Sequence, residues 1–282
     1  MTTVAEALRQ ARAQGLDRSD AMALLGALLA CSRTWLLTHD DAPLDAAQQA
    51  RWQDWLARRR DDVPVAYLTG QHEFHGLMLA VTPDVLDPRP DTETLVDWAL
   101  EVLDALPPGR ALVDLGTGSG AIALALKSRR PDAQVSAVDL SPAALAVARG
   151  NGERLGLAID WHEGAWLAPL AGHTFDLIVS NPPYIAEGDA HLPALRHEPR
   201  LALTSGADGL DAIRQIVADA PAHLTADGRL LLEHGHDQAD AVAALLQAGG
   251  WRDIGHRCDL AGHRRCTGAT RPRQLSSPDG PV

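Results

Sequence analysis

The stretch SNPPYI, at residues 180–185, combines residue types that could hold a small polar group. It directly follows FDLIV, an apolar run that predicts a buried strand. Each proline ring fixes its own φ at about −65°, and Pro182 also pushes Asn181 into an extended conformation. Because neither proline has an N–H, the turn presents acceptors, namely the side-chain oxygen of Asn181 and backbone carbonyls.

Such a turn suits a planar NH2 group, which has two protons to donate, and Tyr184 offers an aromatic face on which the group can stack. Carboxylates and phosphates have no such protons, whereas a carboxamide or the exocyclic amine of a base does. Acceptors on the NH2 group would also stabilise the positive charge that grows on nitrogen during attack on an electrophile. An ordinary loop turn is the alternative interpretation of the same residues.

A glycine-rich turn lies in DLGTGSGAIA, residues 114–123. Gly116, Gly118 and Gly120 would allow a tight turn, close approach of a ligand to the backbone, and close packing of the next helix. The turn lacks the Lys-Ser/Thr pair of a P-loop, and its G-x-G-x-G spacing differs from the dinucleotide-binding G-x-G-x-x-G. We therefore predict a ligand turn that does not bind phosphate.

An acidic residue, Asp139, ends the next predicted strand in AVDLS. A carboxylate there can accept hydrogen bonds from both hydroxyls of a ribose. Helix capping is the alternative role, but Ser141, directly before Pro142, is better placed for it. A glycine turn with this acid and no phosphate signature favours S-adenosyl-L-methionine as the ligand. Methyl transfer from its sulfonium is a direct displacement that needs alignment rather than a protein nucleophile.

The elements that must position these residues begin at about residue 111, where predicted strands and helices alternate. This alternation predicts a doubly wound α/β sheet, which binds ligands beyond the carboxyl ends of its strands. The last two strands, in WRDIGHRC and HRRCTGA, have no helix between them. We expect them to form an antiparallel hairpin at one edge of the sheet.

The first 72 residues predict helices only, and Trp52 and Leu56 fall on one helix face as part of the core of a small bundle. A hairpin around Gly76 and a proline-rich connector follow, and either Asp91 or Thr92 is expected to cap the next helix. We therefore expect four segments, a helical domain (1–72), a hairpin and connector (73–90), a methyltransferase domain (91–270) and a disordered tail (271–282).

Composition limits the kinds of partner that the chain can have. A formal charge of −12 argues against a protein that grips a nucleic-acid backbone by phosphate neutralisation.

His72 and His75 lack further ligands at a metal-binding spacing, so no metal is expected. Cys31, Cys258 and Cys266 form no C-x-x-C pair, which fits a reducing compartment. No apolar run approaches the roughly 20 residues of a membrane span. We expect a cytoplasmic monomer that binds neither nucleic acid nor membrane directly.

Several longer stretches carry a resemblance to a known family. NPPY alone is shared with adenine-N6 methyltransferases, whereas its combination with PRPDTE and a helical N-terminal domain is more specific. The chain resembles the peptide-chain release factor N5-glutamine methyltransferases, the HemK-like family, to about residue 270. The matching stretches are PVAYLTGQHEFHGL, PRPDTE, DLGTGSGAIALAL, AVDLSPAALAVARGN, IVSNPPYI, HEPRLAL and LLLEHG.

The resemblance implies a Rossmann-like class I methyltransferase sheet that transfers a methyl group from S-adenosyl-L-methionine to N5 of a glutamine. The substrate would be the glutamine in the Gly-Gly-Gln motif of release factors, the protein partners of the family. We assign substrate recognition to the helical domain, because an acceptor site for an NH2 group cannot distinguish one glutamine from another.

The same resemblance implies the site residues. The cofactor-binding residues are Gly116, Thr117, Gly118, Ser119, Gly120, Asp139, Trp166 and Asn181. The substrate-binding residues are Asn181, Pro182, Pro183 and Tyr184, of which Asn181 and Tyr184 are the catalytic pair.

Two other hypotheses stay open. An adenine-N6 methyltransferase acting on DNA or RNA would share NPPY, but the net charge of −12 and the lack of a basic target-recognition domain count against it. A non-catalytic binding module on the same fold is the second alternative. The intact glycine turn, Asp139 and NPPY count against a binding module that has lost its catalytic activity.

Overall fold

The N-terminal part of the chain folds into helices in the computed structural model, which describes residues 2–273. Reciprocal capping boxes start two of them, Thr3 with Glu6 at the first helix and Asp45 with Gln48 at the fourth. Trp52 is fully buried among these helices, as predicted for the core of a small bundle. Within residues 2–70 the helices are α1 (Val4–Ala13), α2 (Arg18–Leu29), α3 (Arg33–Thr38), α4 (Ala46–Arg60) and α5 (Val65–Thr69).

Two of these helices, α3 and α5, have no periodic apolar pattern from which the sequence could predict them. Each has fewer than two turns, so an apolar periodicity has no room to appear. α3 begins where the hydroxyl of Ser32 accepts the N–H of Trp35 at 3.1 Å. α5 follows Pro64 and ends at Gly70, whose φ of 75° terminates the helix. Their ends are defined locally rather than by a repeating pattern.

A two-stranded hairpin follows the helices, as predicted around Gly76. Its turn residues, His75 and Gly76, both have positive φ (49° and 81°), as a two-residue type I′ hairpin requires. Asn151 holds one end of the hairpin, because its Oδ1 accepts the Ala80 N–H at 2.7 Å and its Nδ2 donates to the Ala80 carbonyl at 3.0 Å. The strands are β1 (Gln71–Phe74) and β2 (Leu77–Ala80).

Between residues 111 and 273 the strands are β3 (Ala111–Leu115), β4 (Gln134–Asp139), β5 (Asp160–Glu163), β6 (Phe175–Ser180), β7 (Leu224–Glu233), β8 (Arg252–Cys258) and β9 (Arg264–Thr270). They form one sheet in the order β5-β4-β3-β6-β7-β9-β8. β3 to β7 are parallel, and β9 is antiparallel to both β7 and β8. The doubly wound fold with a C-terminal antiparallel hairpin is confirmed. The helices are α6 (Glu93–Asp104), α7 (Ala121–Arg129), α8 (Pro142–Leu155), α9 (Asp211–Asp219) and α10 (Ala239–Ala248).

The carboxyl ends of β4, β3, β6 and β7 lie level with one another. Leu115 pairs with Val138 of β4 and with Ser180 of β6, and Ser180 pairs with Leu232 of β7. Most residues of the central strands β3 and β6 are apolar and buried, because helices cover both faces of the sheet. The residues that follow each strand end therefore emerge together at one edge, which is where such sheets bind ligands.

The helical region (residues 2–70) packs directly on the rest of the chain. Val81, Val85 and Ala144 are buried in the same apolar cluster as the helices. Arg196 also pairs with Asp61 at 2.7 Å, across the two regions. The division into a helical domain, a connector and a methyltransferase domain stays a prediction.

Three further expectations concern partners and the tail. No helix among residues 2–273 is long and apolar enough to cross a membrane. Within that same range, no group of three or more His, Cys, Asp or Glu side chains is arranged to hold a metal ion. The tail predicted from residue 271 lies outside the described residues from position 274 onwards.

Candidate active site

The glycine turn and Asp139 contact each other at the carboxyl edge of the sheet. Asp139 Oδ2 accepts the N–H of Gly118 and Oδ1 accepts the N–H of Ser141, both at 2.8 Å. The three glycines of the turn have φ of 72°, 56° and 84°, a left-handed conformation that other residues rarely adopt. The hydroxyl of Ser141, and not Asp139, caps α8 by accepting the N–H of Ala144 at 3.2 Å. Asp139 is therefore free of a capping role, as the sequence predicts.

Trp166 lies against the glycine turn. A Cβ placed on Gly116 would meet the indole ring at 3.4 Å, so the ring and the turn are in close contact. Thr117 and Ser119, in the same turn, have buried side chains. The predicted cofactor residues of β3, β4 and the loop after β5 are thus brought together by the fold.

Asp114 is a buried acid that the sequence analysis did not single out. It is the penultimate residue of β3, and its Oδ2 accepts the hydroxyl of Thr117 at 2.6 Å and the N–H of Ala123 at 3.3 Å. Burial is the main cause that raises its pKa to about 7. These two bonds hold the glycine turn between the end of β3 and the first turn of α7. An acidic residue inside an otherwise apolar strand was the signal that could have identified it.

Asn181 faces a hydroxyl from a distant part of the chain. Its Nδ2 donates to Thr92 Oγ1 at 3.1 Å. Thr92 occupies the N-cap position of α6, as one of the two predicted alternatives, but no side chain makes a capping hydrogen bond at that helix. Thr92 instead lies in a 3₁₀ turn, is buried, and uses its hydroxyl to hold Asn181.

Glu233 joins this pair from the end of β7 and was also missed in the sequence. Its side chain is only 1% exposed, and burial raises its pKa to about 7 against the lowering effect of hydrogen bonds with Thr92 and Asn181 and of the charge of Arg265. One carboxylate oxygen, Oε2, has no hydrogen-bond partner within residues 2–273. An acid that ends the apolar run LLLE was the available signal.

Tyr184 completes the NPPY turn. Burial, followed by the charge of Glu233, raises the pKa of its phenol to about 12, so the ring is neutral at physiological pH. Its carbonyl accepts from Gln238 Nε2 at 3.0 Å, which fixes the backbone after the two prolines. Pro182 is buried and Pro183 is half-buried.

A cleft of about 1320 Å³ runs between the helical region and the NPPY turn. Asn181, Tyr184 and Ile185 line it together with residues of α2 and α5. The glycine turn and Asp139 do not line this cleft. β3 neighbours β6 in the sheet, so the glycine turn lies at the strand end next to the NPPY turn. Asn181 therefore lies between the cleft and the glycine turn.

The buried carboxylate of Glu233 should make the stability of the protein depend on pH. Its folded pKa of about 7 lies above the ordinary 4.5, so its favourable contribution is complete below about pH 4.5 and is lost as pH rises through 7. Relative to the unmodified chain, we expect the free energy of unfolding of Glu233→Gln to be higher at pH 8 than at pH 5 by about 3 kcal/mol. Urea unfolding at both pH values measures this difference, and an equal effect at pH 5 and pH 8 would contradict it.

Fold and site together define a class I methyltransferase. Two family models match, the PrmC N-terminal domain at residues 2–70 and the methyltransferase small domain at residues 93–198. A methyltransferase structure from Pyrococcus furiosus has a TM-score of 0.53 at 18% identity, covering 81% of this chain and 100% of that one. The hMettl16 catalytic domain in complex with MAT2A 3'UTR hairpin 1 has a TM-score of 0.57 at 14% identity, covering 86% of each chain. These likenesses show the fold.

Sequence relatives are more specific. A release factor glutamine methyltransferase from Bordetella pertussis is 51% identical over 90% of this chain and 95% of its own length. One from Burkholderia pseudomallei is 50% identical over 96% of both chains. The chain belongs to the release factor glutamine methyltransferase family, which confirms the family resemblance.

Proposed function

We propose that this chain transfers a methyl group from S-adenosyl-L-methionine to N5 of the glutamine in the Gly-Gly-Gln motif of peptide-chain release factors. The proposal rests on the position and the hydrogen bond of Asn181. It lines the cleft, and its Nδ2 is already held by Thr92 at 3.1 Å. Oδ1 is therefore the amide atom left to accept a hydrogen bond from a substrate NH2 group.

The residues near the glycine turn fit the proposed cofactor. Asp139 uses its carboxylate for two backbone N–H groups, and a carboxylate has about four acceptor positions, so both ribose hydroxyls can still be bound. Trp166 supplies an aromatic face beside Gly116 for an adenine. We propose Gly116 to Gly120, Asp139, Trp166 and Asn181 as the cofactor residues. When bound, S-adenosyl-L-methionine supplies an electrophilic methyl group on a positively charged sulfur.

The NPPY turn would bind and align the glutamine. Asn181 Oδ1 and the Pro182 carbonyl accept the two amide protons, and the ring of Tyr184 stacks on the planar amide. These acceptors stabilise the positive charge that develops on the nitrogen, and Pro183 stiffens the turn so that the acceptors are already in place. Tyr184 stays neutral because its pKa is raised to about 12, so it adds no competing charge.

The proposed partner is a whole release factor, and the cleft beside the helical region is the proposed place for its Gly-Gly-Gln loop. A formal charge of −12 supports a protein substrate over direct nucleic-acid binding. We further propose a monomer that acts in the cytoplasm. We retain the four proposed segments, with residues 1–72 as the substrate-recognition domain and 91–270 as the methyltransferase domain.

Purified protein, isotopically labelled S-adenosyl-L-methionine and three acceptors test the proposal. The acceptors are a release factor, the same factor with the motif glutamine replaced by glutamate, and DNA or RNA containing unmodified adenine. We expect label on the unmodified factor alone, at the glutamine side chain by mass spectrometry. Label on the glutamate variant would place the methyl group elsewhere, and label on nucleic acid alone would favour the adenine methyltransferase.

Replacing Asp139 tests the ribose role. Asp139→Ala removes charge-assisted hydrogen bonds of about 1.5–3 kcal/mol, so the cofactor Kd should rise at least about tenfold, with Asp139→Asn giving an intermediate rise. Ser141→Ala is the matched control, since it removes the α8 cap but no ribose acceptor. It should cost about 1 kcal/mol of stability and leave the Kd unchanged. Calorimetry that finds the same Kd for Asp139→Ala and the unmodified chain would refute the assignment.

A further inference from the structure

We propose that Thr92 and Glu233 orient the side-chain amide of Asn181 so that its oxygen, and not its NH2 group, faces the substrate. This inference rests on the proposed function, because it concerns how the NPPY turn binds the glutamine amide. We call the two residues the amide clamp. Both are positioning residues, since they act through Asn181.

The orientation of this amide decides whether the site can work. A side-chain amide has an acceptor at one end and two N–H donors at the other, and a half-turn about its terminal bond exchanges them. With its NH2 group toward the substrate, Asn181 would oppose donors with donors and would repel the charge developing on the nitrogen. The turn therefore needs a device that holds one of the two orientations.

The contacts of the amide clamp provide that device. Nδ2 of Asn181 donates to Thr92 Oγ1 at 3.1 Å, and the buried Glu233 lies close enough to both side chains for them to lower its pKa. Nδ2 has two protons, so Thr92 and Glu233 can accept one each, and the hydroxyl proton of Thr92 is left available for donation to Glu233. An ionised carboxylate accepts only, which fixes the direction of every bond in the set. With Nδ2 engaged in this way, Oδ1 is the atom of the Asn181 amide that is left for the substrate.

The fold holds the clamp away from water. Thr92 is 4% exposed and Glu233 is 1% exposed. Glu233 follows Leu232, the partner of Ser180, so it stands beside Asn181 at the neighbouring strand end. The turn that carries Thr92 is held by Asp91, which pairs with Arg265 of β9 at 3.1 Å. This accounts for PDT in the PRPDTE motif, which helix capping does not explain.

The charge of Glu233 links the clamp to pH. A protonated Glu233 becomes a donor, which can bond Oδ1 of Asn181 and favour the unproductive orientation. The charged or titratable groups around it are Asp91 and Arg265, which pair with each other, and Tyr184 and Cys266, whose pKa values are both raised. Turnover should therefore rise with pH through about 7, the pKa of Glu233 in the folded chain.

Thr92→Val removes the hydroxyl at nearly constant volume, and Thr92→Ser restores it. With a whole release factor as substrate, we expect Thr92→Val to lower kcat/KM by about 30-fold, with cofactor Kd within about twofold of normal. Thr92→Ser should recover most of the rate, which a role limited to packing would not predict. Thr94→Val is the matched control, because it removes a hydroxyl from the next turn of the same segment.

Glu233→Gln tests the clamp separately and does not depend on the Thr92 variants folding. The unmodified enzyme should show a kcat that rises through about pH 7, and Glu233→Gln should lose this rise together with about tenfold in kcat at pH 8. If the unmodified enzyme does not methylate the factor, the proposed function and the clamp both fail. If it does, then full activity in Thr92→Val, or an unchanged pH profile in Glu233→Gln, overturns the clamp alone.

Discussion

We expect Asn181→Ala to lower the kcat of glutamine methylation by at least about 100-fold, or about 3 kcal/mol in the transition state, in a chain that still folds and still binds cofactor. The reason is that the substitution removes the acceptor aimed at the NH2 group whose nitrogen becomes positive. The backbone carbonyls of the turn stay in place, because the two prolines define their positions independently of the side chain. Residual activity from those carbonyls is therefore expected.

Single-turnover rates with a whole release factor measure this loss, and cofactor titration of the same variant is the control. Asn181→Asp is a useful companion, since it keeps the shape and an acceptor oxygen but has no NH2 group for Thr92 and Glu233. We expect it to be about as impaired as Asn181→Ala, because a second carboxylate would face the buried Glu233. A folded, cofactor-bound Asn181→Ala enzyme with near-normal turnover would remove the basis of the proposed function.

Much of this site could be predicted because a parallel sheet aligns the ends of its strands. Gly116, Asp139 and Asn181 each follow an apolar run, and the fold then brings them to one edge whatever the loop details. Strand ends are visible in a sequence. The partners that complete the site are not, since they depend on contacts between distant segments.

Thr92 and Glu233 illustrate that limit. Thr92 precedes a helix, so local rules favour it as a cap, but its hydroxyl is used by Asn181, 89 positions away. Glu233 ends a strand where an acid would ordinarily be solvated, and it is buried where β9 pairs beside it, with Cys266 opposite. Both residues contradict a local preference, which is common at functional sites.

A short peptide carrying the Gly-Gly-Gln sequence should be a far poorer substrate than the whole release factor, with kcat/KM lower by at least about 100-fold. In the proposed mechanism the NPPY turn recognises an NH2 group, and every exposed glutamine offers one. Selectivity must then come from surface remote from the reacting nitrogen, and residues of α2 and α5 line the same cleft as Asn181. Binding energy gathered there would also hold the flexible loop in line, so a peptide should lose kcat as well as affinity.

Deleting the helical region would not test this cleanly, because Val81, Val85 and Ala144 share its apolar core and would be exposed. A bulky side chain in the cleft wall is the sharper probe. Ala23 is an exposed residue of α2 that lines the cleft, whereas Ala57 is an exposed residue of α4 that does not. Ala23→Trp should therefore obstruct the whole factor, and Ala57→Trp should not.

The two substrates separate a docking role from a structural one. If the helical region selects the release factor, Ala23→Trp lowers kcat/KM for the whole factor by at least about tenfold and leaves the slow rate with the peptide unchanged, since remote contacts are absent there. Damage to the catalytic site would instead lower both rates in proportion. Equal kcat/KM for peptide and whole factor with the unmodified enzyme would show that α2 and the cleft do not choose the substrate, and selectivity would then have to lie within the NPPY turn itself.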